Sequence, residues 1–273
     1  MPRHLLSVLV AVLAATAVGV APVAAAPTWA PADTAAVHPG VQTRTAGAQC
    51  TANFVFSDAT DVYIGQAAHC SGTGAATDTD GCGSGSLPLG TPVEISGASR
   101  PGTMVYNSWL TMQAAGETDP DACAYNDLAL VRIDPADAGS VNPSIPFWGG
   151  PTAIDADGTQ IGDKVLSYGN SLLRAGVTAL SPKEGTSLGD DGNGWSHQVY
   201  TATPGIPGDS GSAFLNAGGQ ALGVLSTVAI APLAGSNGVG DIDRELAYLA
   251  AHTSLQVTLA TGTEPFRGPL LPA

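Results

Sequence analysis

Positive charge is scarce in this chain. Lys and Arg together number 9 against 23 Asp plus Glu, a net charge of -14 over 273 residues. A surface of that kind repels phosphate backbones and anionic headgroups, so nucleic acid and anionic membranes are excluded as partners. No Cys-x-x-Cys pair occurs and only His69 lies close to any cysteine, which argues against a structural zinc site. No metal or cofactor is expected. Internal repeats are absent, and although Gly 35 and Pro 20 exceed average usage, no period accompanies them, which excludes collagen. Hydrophobic residues make up 44% of the chain, too many for global disorder.

What is present begins with an export signature. Met1-Pro2-Arg3-His4 carries positive charge, an apolar run from Leu5 to Val20 follows, and Val23 and Ala25 fit a small-residue cleavage rule. Its Ala content and the closing Pro22 and Pro27 favour a cleaved signal peptide over residues 1–25 rather than a membrane anchor. Residues 26–48 are Ala-, Thr- and Pro-rich and read as a flexible leader or short pro-segment, so zymogen control is an expectation. Regular patterning starts at Gln49, and 49–273 reads as one secreted, extracellular, monomeric domain. Cys50, Cys70, Cys82 and Cys123 make an even count in an exported chain, hence two disulfides with three possible pairings.

Short runs rich in Val, Leu and Tyr recur between Gly, Asp, Asn and Pro clusters. Strands are predicted over 49–56, 62–68, 128–133, 165–168, 197–202, 212–215 and 221–230, with 71–92 a surface loop. Such a series implies an all-β antiparallel sandwich or barrel rather than βαβ units. One helix is predicted near the end, where Ile242, Leu246, Leu249 and Ala250 recur at helical spacing behind Asp241 as N-cap.

The chemistry is carried by three blocks. A serine nucleophile needs a base within hydrogen-bond reach, an acid to orient that base, and donors for the developing oxyanion. His69 ends an apolar strand in Gln66-Ala67-Ala68-His69-Cys70, where an adjacent disulfide anchor would hold it rigidly. Ser210 lies in Pro207-Gly208-Asp209-Ser210-Gly211, whose glycines allow unusual dihedrals and let the backbone N–H groups of Gly208 and Ser210 face one oxyanion. Asp127 enters the apolar strand Leu128-Ala129-Leu130, where a partly buried acid needs a partner such as an imidazole N–H. His197 reads as a surface or pocket-edge residue, and His252 as solvent-facing or helix-capping.

Ala67-Ala68-His69-Cys70, Asp127-Leu128-Ala129-Leu130 and Gly208-Asp209-Ser210-Gly211 resemble the signature blocks of the chymotrypsin/trypsin-like serine peptidases, in that family's order. The likeness spans residues 49 to about 255. It implies two packed six-stranded antiparallel β-barrels with a C-terminal helix, the triad in the cleft between them, and peptide or protein substrates. It also implies a Cys50–Cys70 bridge behind the histidine, with Cys82 left to Cys123, and a structural role for Asp209 as a buried counter-charge. Pro204 and Ser226 fall where that family contacts substrate. The chain departs from the animal enzymes at Ser212 and Ile206 and has no Ile-Val-Gly-Gly start, which resembles the bacterial branch. Pro204 stands where Lys/Arg-cleaving members carry an acid, so an apolar or small pocket is expected. Two other readings stay open: an esterase using Ser210, Asp241 or Asp243, and His252, and an inactive binding module on the same fold.

Overall fold

The computed structural model describes residues 27–75, 77–229 and 233–270. The segment read as a signal peptide, 1–25, lies outside them. The alternating apolar runs fold into antiparallel hairpins. The first half supplies β1 (Gln42–Thr45), β2 (Ala48–Thr51), β3 (Val55–Ser57), β4 (Val62–Ala67), β5 (Pro92–Ile95), β6 (Gly102–Asn107) and β7 (Leu128–Arg132). The second supplies β8 (Lys164–Tyr168), β9 (Pro182–Asp191), β10 (Ser196–Thr201), β11 (Ala213–Asn216), β12 (Ala221–Ala229) and β13 (Ser236–Asp241). A short β14 (Thr258–Leu259) returns to pair with β3.

Strands β8 to β13 close into a six-stranded barrel in the order β10-β13-β12-β11-β8-β9. The remaining strands form a curled sheet of eight, ordered β14-β3-β4-β7-β6-β5-β1-β2. The expected pair of six-stranded barrels is thus realised as one closed barrel and one open half-barrel, whose edges are the short strands β14 and β2. Helix α1 (Ser108–Ala115) starts at an Asn107 cap, α2 (Pro120–Tyr125) leads into Asp127, and α3 (Ile242–His252) starts where expected, with Asp241 Oδ1 accepting from Arg244 N at 2.9 Å. No helix of the described residues is long and apolar enough to cross a membrane.

The two β-structures share one core. Phe54, Tyr106 and Leu128 of the first half pack in the same cluster as Leu166, Leu215 and Val224 of the barrel and Ile242 and Leu249 of α3. That shared layer fixes how the halves meet. The folded chain also starts before the pattern at Gln49. Ala30 N–H donates to Val141 O at 2.9 Å, Val37 N–H to Ser140 O at 3.2 Å, and Val37 and Val41 belong to the core, so 27–48 is built into the domain. Its Ala, Thr and Pro content hides that role from the sequence.

His197 is a second departure. It is not at the surface but fully buried on β10, with Nδ1 at 2.7 Å from Asp190 and Nε2 at 2.9 Å from Asp241. Burial alone would lower its pKa; the bonds to Asp241 and Asp190 outweigh this and raise it above 6.5. A raised folded-state value means that its stabilisation is complete below about pH 6.5 and fades as pH climbs through that value. In urea titrations, stability should therefore fall between pH 6 and pH 9 by less in His197→Gln than in the wild type. An identical pH dependence in the two proteins would refute this.

Candidate functional site

Strand register assembles the first two residues of the site. Antiparallel pairing of β4 with β7 sets Ala67 opposite Leu128, and Ala68 N–H donates to Asp127 O at 2.8 Å. Residues just past each strand end are thereby neighbours: His69, in a single 3-10 turn over Ala68–Ser71, and Asp127. The Asp127 carboxylate receives three hydrogen bonds. His69 N–H donates to Oδ1 at 2.8 Å, His69 Nδ1 to Oδ2 at 2.6 Å, and Ser226 Oγ to Oδ2 at 2.6 Å. The Asp127 side chain is 4% exposed and that of His69 22%. Burial would lower the imidazole pKa, but the charge and hydrogen bond of Asp127 prevail and raise it above 6.5. Ser226, expected to touch substrate, is thus bonded to the acid.

Two disulfides brace this pair, with the connectivity the resemblance implies: Cys50–Cys70 directly behind His69, and Cys82–Cys123 tying the 71–90 loop to α2, four residues before Asp127. Among the described residues, the clusters of metal-ligating type are Cys50, His69, Cys70 and Asp80, Cys82, Cys123. Each spends its sulfurs in a disulfide, so neither offers a thiolate.

The serine arrives on the other half of the molecule. Thr51 N–H donates to Ser210 O at 2.8 Å, and Gly211 N–H to Leu225 O at 2.7 Å. Gly211, at φ +87°, is obligatory there: a Cβ would sit 2.6 Å from Thr51 O and 2.8 Å from Ala67 N. The Ser210 turn is thus pressed against the end of β4, two residues from His69. No hydrogen bond joins Ser210 Oγ to His69 among the described residues. Neither Gly208 N–H nor Ser210 N–H donates to any described group. The peptides around Gly208 are fixed, since Pro207 O accepts from Ser171 Oγ at 2.6 Å and Gly208 O from Thr51 Oγ1 at 2.8 Å and Gln49 Nε2 at 2.9 Å. In a trans peptide the N–H points opposite to the preceding carbonyl, so Ser171 turns Gly208 N–H away from itself and leaves it open.

Asp209, between these donors, is fully buried, with Arg174 at 2.6 Å and Lys183 at 3.0 Å. Burial depresses the Lys183 pKa below 10.5; Asp209 opposes this and Arg174 adds to it. These two cations were not found from sequence, because they lie 35 and 26 residues upstream in unremarkable contexts. Pro204 is held by its carbonyl, which accepts from Arg174 at 2.9 Å. The esterase grouping is not assembled: Asp241 is engaged by His197 and Arg244, while His252 is exposed and stacked on Tyr248 with ring centroids 4.0 Å apart.

No protein-family model matches the chain, and no curated protein is similar to it in sequence. Solved structures do share its fold. Protease A of Thermobifida fusca superposes with a TM-score of 0.53 at 19% identity, covering 83% of this chain and 99% of that one. A glutamic-acid-specific serine protease described as using a histidine triad in substrate binding gives 0.52 at 20% identity, over 82% of this chain and 100% of that one. A Glu endopeptidase gives 0.50 at 15% identity, over 78% and 89%. The chain therefore has the chymotrypsin-like fold found in bacterial serine proteases.

Removing one member of a buried ion group strands the others. Asp209→Ala should cost about 3–5 kcal/mol in urea unfolding, because two buried cations lose their shared anion. A loss below about 1 kcal/mol, the range of an exposed pair, would contradict that account.

Proposed function

We propose that this protein is a secreted serine endopeptidase acting through an acyl-enzyme on Ser210. The observation that carries the reading is the 2.6 Å bond from His69 Nδ1 to buried Asp127, beside a serine turn with two uncommitted N–H groups. Asp127 holds the imidazole in the tautomer that leaves Nε2 free as base. His69 takes the Ser210 hydroxyl proton as Oγ attacks the scissile carbonyl, and Gly208 and Ser210 N–H stabilise the oxyanion. Collapse expels the amine, which leaves with the proton from Nε2; water then repeats the sequence to release the acid. The missing Ser210–His69 hydrogen bond is compatible with this, since such bonds are often long in unliganded sites and tighten with substrate. The two disulfides support an oxidising, extracellular setting.

The side chain preceding the scissile bond would enter between Pro204–Pro207 and the Ser226–Val228 stretch of β12. Asn237, fully buried on β13, spans that gap. Its Oδ1 accepts from Gly205 N–H at 2.8 Å, and its Nδ2 donates to Gly205 O at 3.3 Å and Thr227 O at 3.1 Å. Even a Cβ on Gly205 would meet Leu225 Cδ2 at 2.8 Å and Asn237 Nδ2 at 2.9 Å. The gap is filled at depth, which favours small residues such as Ala, Ser or Val there.

A fluorophosphonate probe and a peptide library test both parts. The probe should label Ser210 and no other serine, and Ser210→Ala should lose several orders of magnitude in kcat with an unchanged fold. The acid limb of kcat/KM should have its midpoint above pH 6.5, because a raised imidazole pKa keeps His69 protonated to higher pH. Cleavage should follow small residues, and Asn237→Gly should admit larger ones. An unlabelled, folded protein would favour the inactive module.

A further inference from the structure

A buried acid stands behind Asp127, and nothing in the chemistry above uses it. Glu245 lies in the first turn of α3 and is fully buried. Its Oε1 accepts from the Asp127 N–H at 2.8 Å, while its Oε2 has no partner among the described residues. The approach is a close one: a Cβ at Gly240 would sit 2.7 Å from Glu245 Oε1 and 3.0 Å from Tyr125 O, so only glycine leaves room for the carboxyl. Tyr106, whose hydroxyl is also buried without a partner among the described residues, lies nearby.

No Lys, Arg or His pairs with Glu245 among the described residues. A carboxylate without counter-charge, holding one hydrogen bond, does not stay ionised in such surroundings. Burial, then the negative charges of Asp127 and Asp241, push its pKa well above 4.5, with the single N–H of Asp127 working against them.

We propose that Glu245 is a positioning residue for the triad: as a neutral acid it fastens the Asp127 backbone to the C-terminal helix, and so aims the Asp127 carboxylate at His69. An acceptor is needed for the Asp127 N–H, and a second negative charge behind the imidazole is not. The neutral acid meets both conditions. This rests on the reading of His69, Asp127 and Ser210 as the triad, but not on any substrate preference.

The test uses the full chain and three variants. Glu245→Leu removes the acceptor and should lower kcat by about tenfold to a hundredfold, the cost of a slightly misplaced catalytic group, with KM unchanged. Glu245→Gln restores an uncharged acceptor of the same shape and should rescue kcat and leave the acid limb of the pH profile in place. Infrared difference spectra of wild type against Glu245→Gln should show, at neutral pH, a protonated-carboxyl carbonyl band that the variant lacks, a readout that stands even if the Leu variant fails to fold. Wild-type kcat in a folded Glu245→Leu overturns the positioning role. A downward shift of the acid limb in Glu245→Gln, or no protonated-carboxyl band, overturns the neutral acid. Ser210→Ala run in parallel separates these failures from failure of the triad itself, since hydrolysis there at close to the wild-type rate removes the triad whatever Glu245 does.

Discussion

The rest of the structure is organised around one buried carboxylate. Asp127 takes its hydrogen bonds from His69, carried by the open sheet, and from Ser226, carried by the closed barrel, while its own N–H is held by α3. Three separate parts of the fold thus converge on one residue. The convergence depends on strand register. A one-residue slip of β7 against β4 would turn Asp127 to the opposite face of the sheet and take the acid away from the imidazole. The shared apolar layer and the Cys82–Cys123 bridge resist that slip from both sides.

A second buried charge organises the serine turn. Asp209 draws Arg174 and Lys183 inward, and it also accepts from the backbone N–H of Ser171 at 3.0 Å and of Ile206 at 3.2 Å. The loop carrying Ser210 is therefore tied to β9 and to the 171–174 turn by internal cations. In a chain with 9 basic residues, two spent inside is a large share, and it locates where folding needs positive charge most. It also means that Asp209 has its counter-charge without a newly released amino terminus.

Local signals made part of this legible. Strands β4, β7, β8, β10, β11 and β12 carry Val, Leu and Tyr between turn residues, and α3 carries a helical stripe behind a capping Asp, so each was readable. Strands β1, β6 and β9 were not, because Thr, Gly, Ser and Asp interrupt their apolar pattern, and β5 is a four-residue run holding Pro and Glu. The same division holds in the site. His69, Asp127 and Ser210 sit in recognisable blocks. Glu245, Asn237, Arg174 and Lys183 act through contacts spanning 26 to 118 residues, and nothing near them in the chain announces it. His197 was misread for that reason too: one of its two aspartates lies 44 residues away.

A crystal structure of the protein after reaction with a small phosphonate inhibitor tests the central claim most directly. The account predicts phosphorus bonded to Ser210 Oγ, its oxygen at about 2.7–3.1 Å from the N–H groups of both Gly208 and Ser210, and His69 Nε2 within hydrogen-bond reach of the adduct while Nδ1 stays on Asp127. An adduct on another side chain, or an imidazole that remains beyond hydrogen-bond reach of the phosphonylated serine, would contradict it.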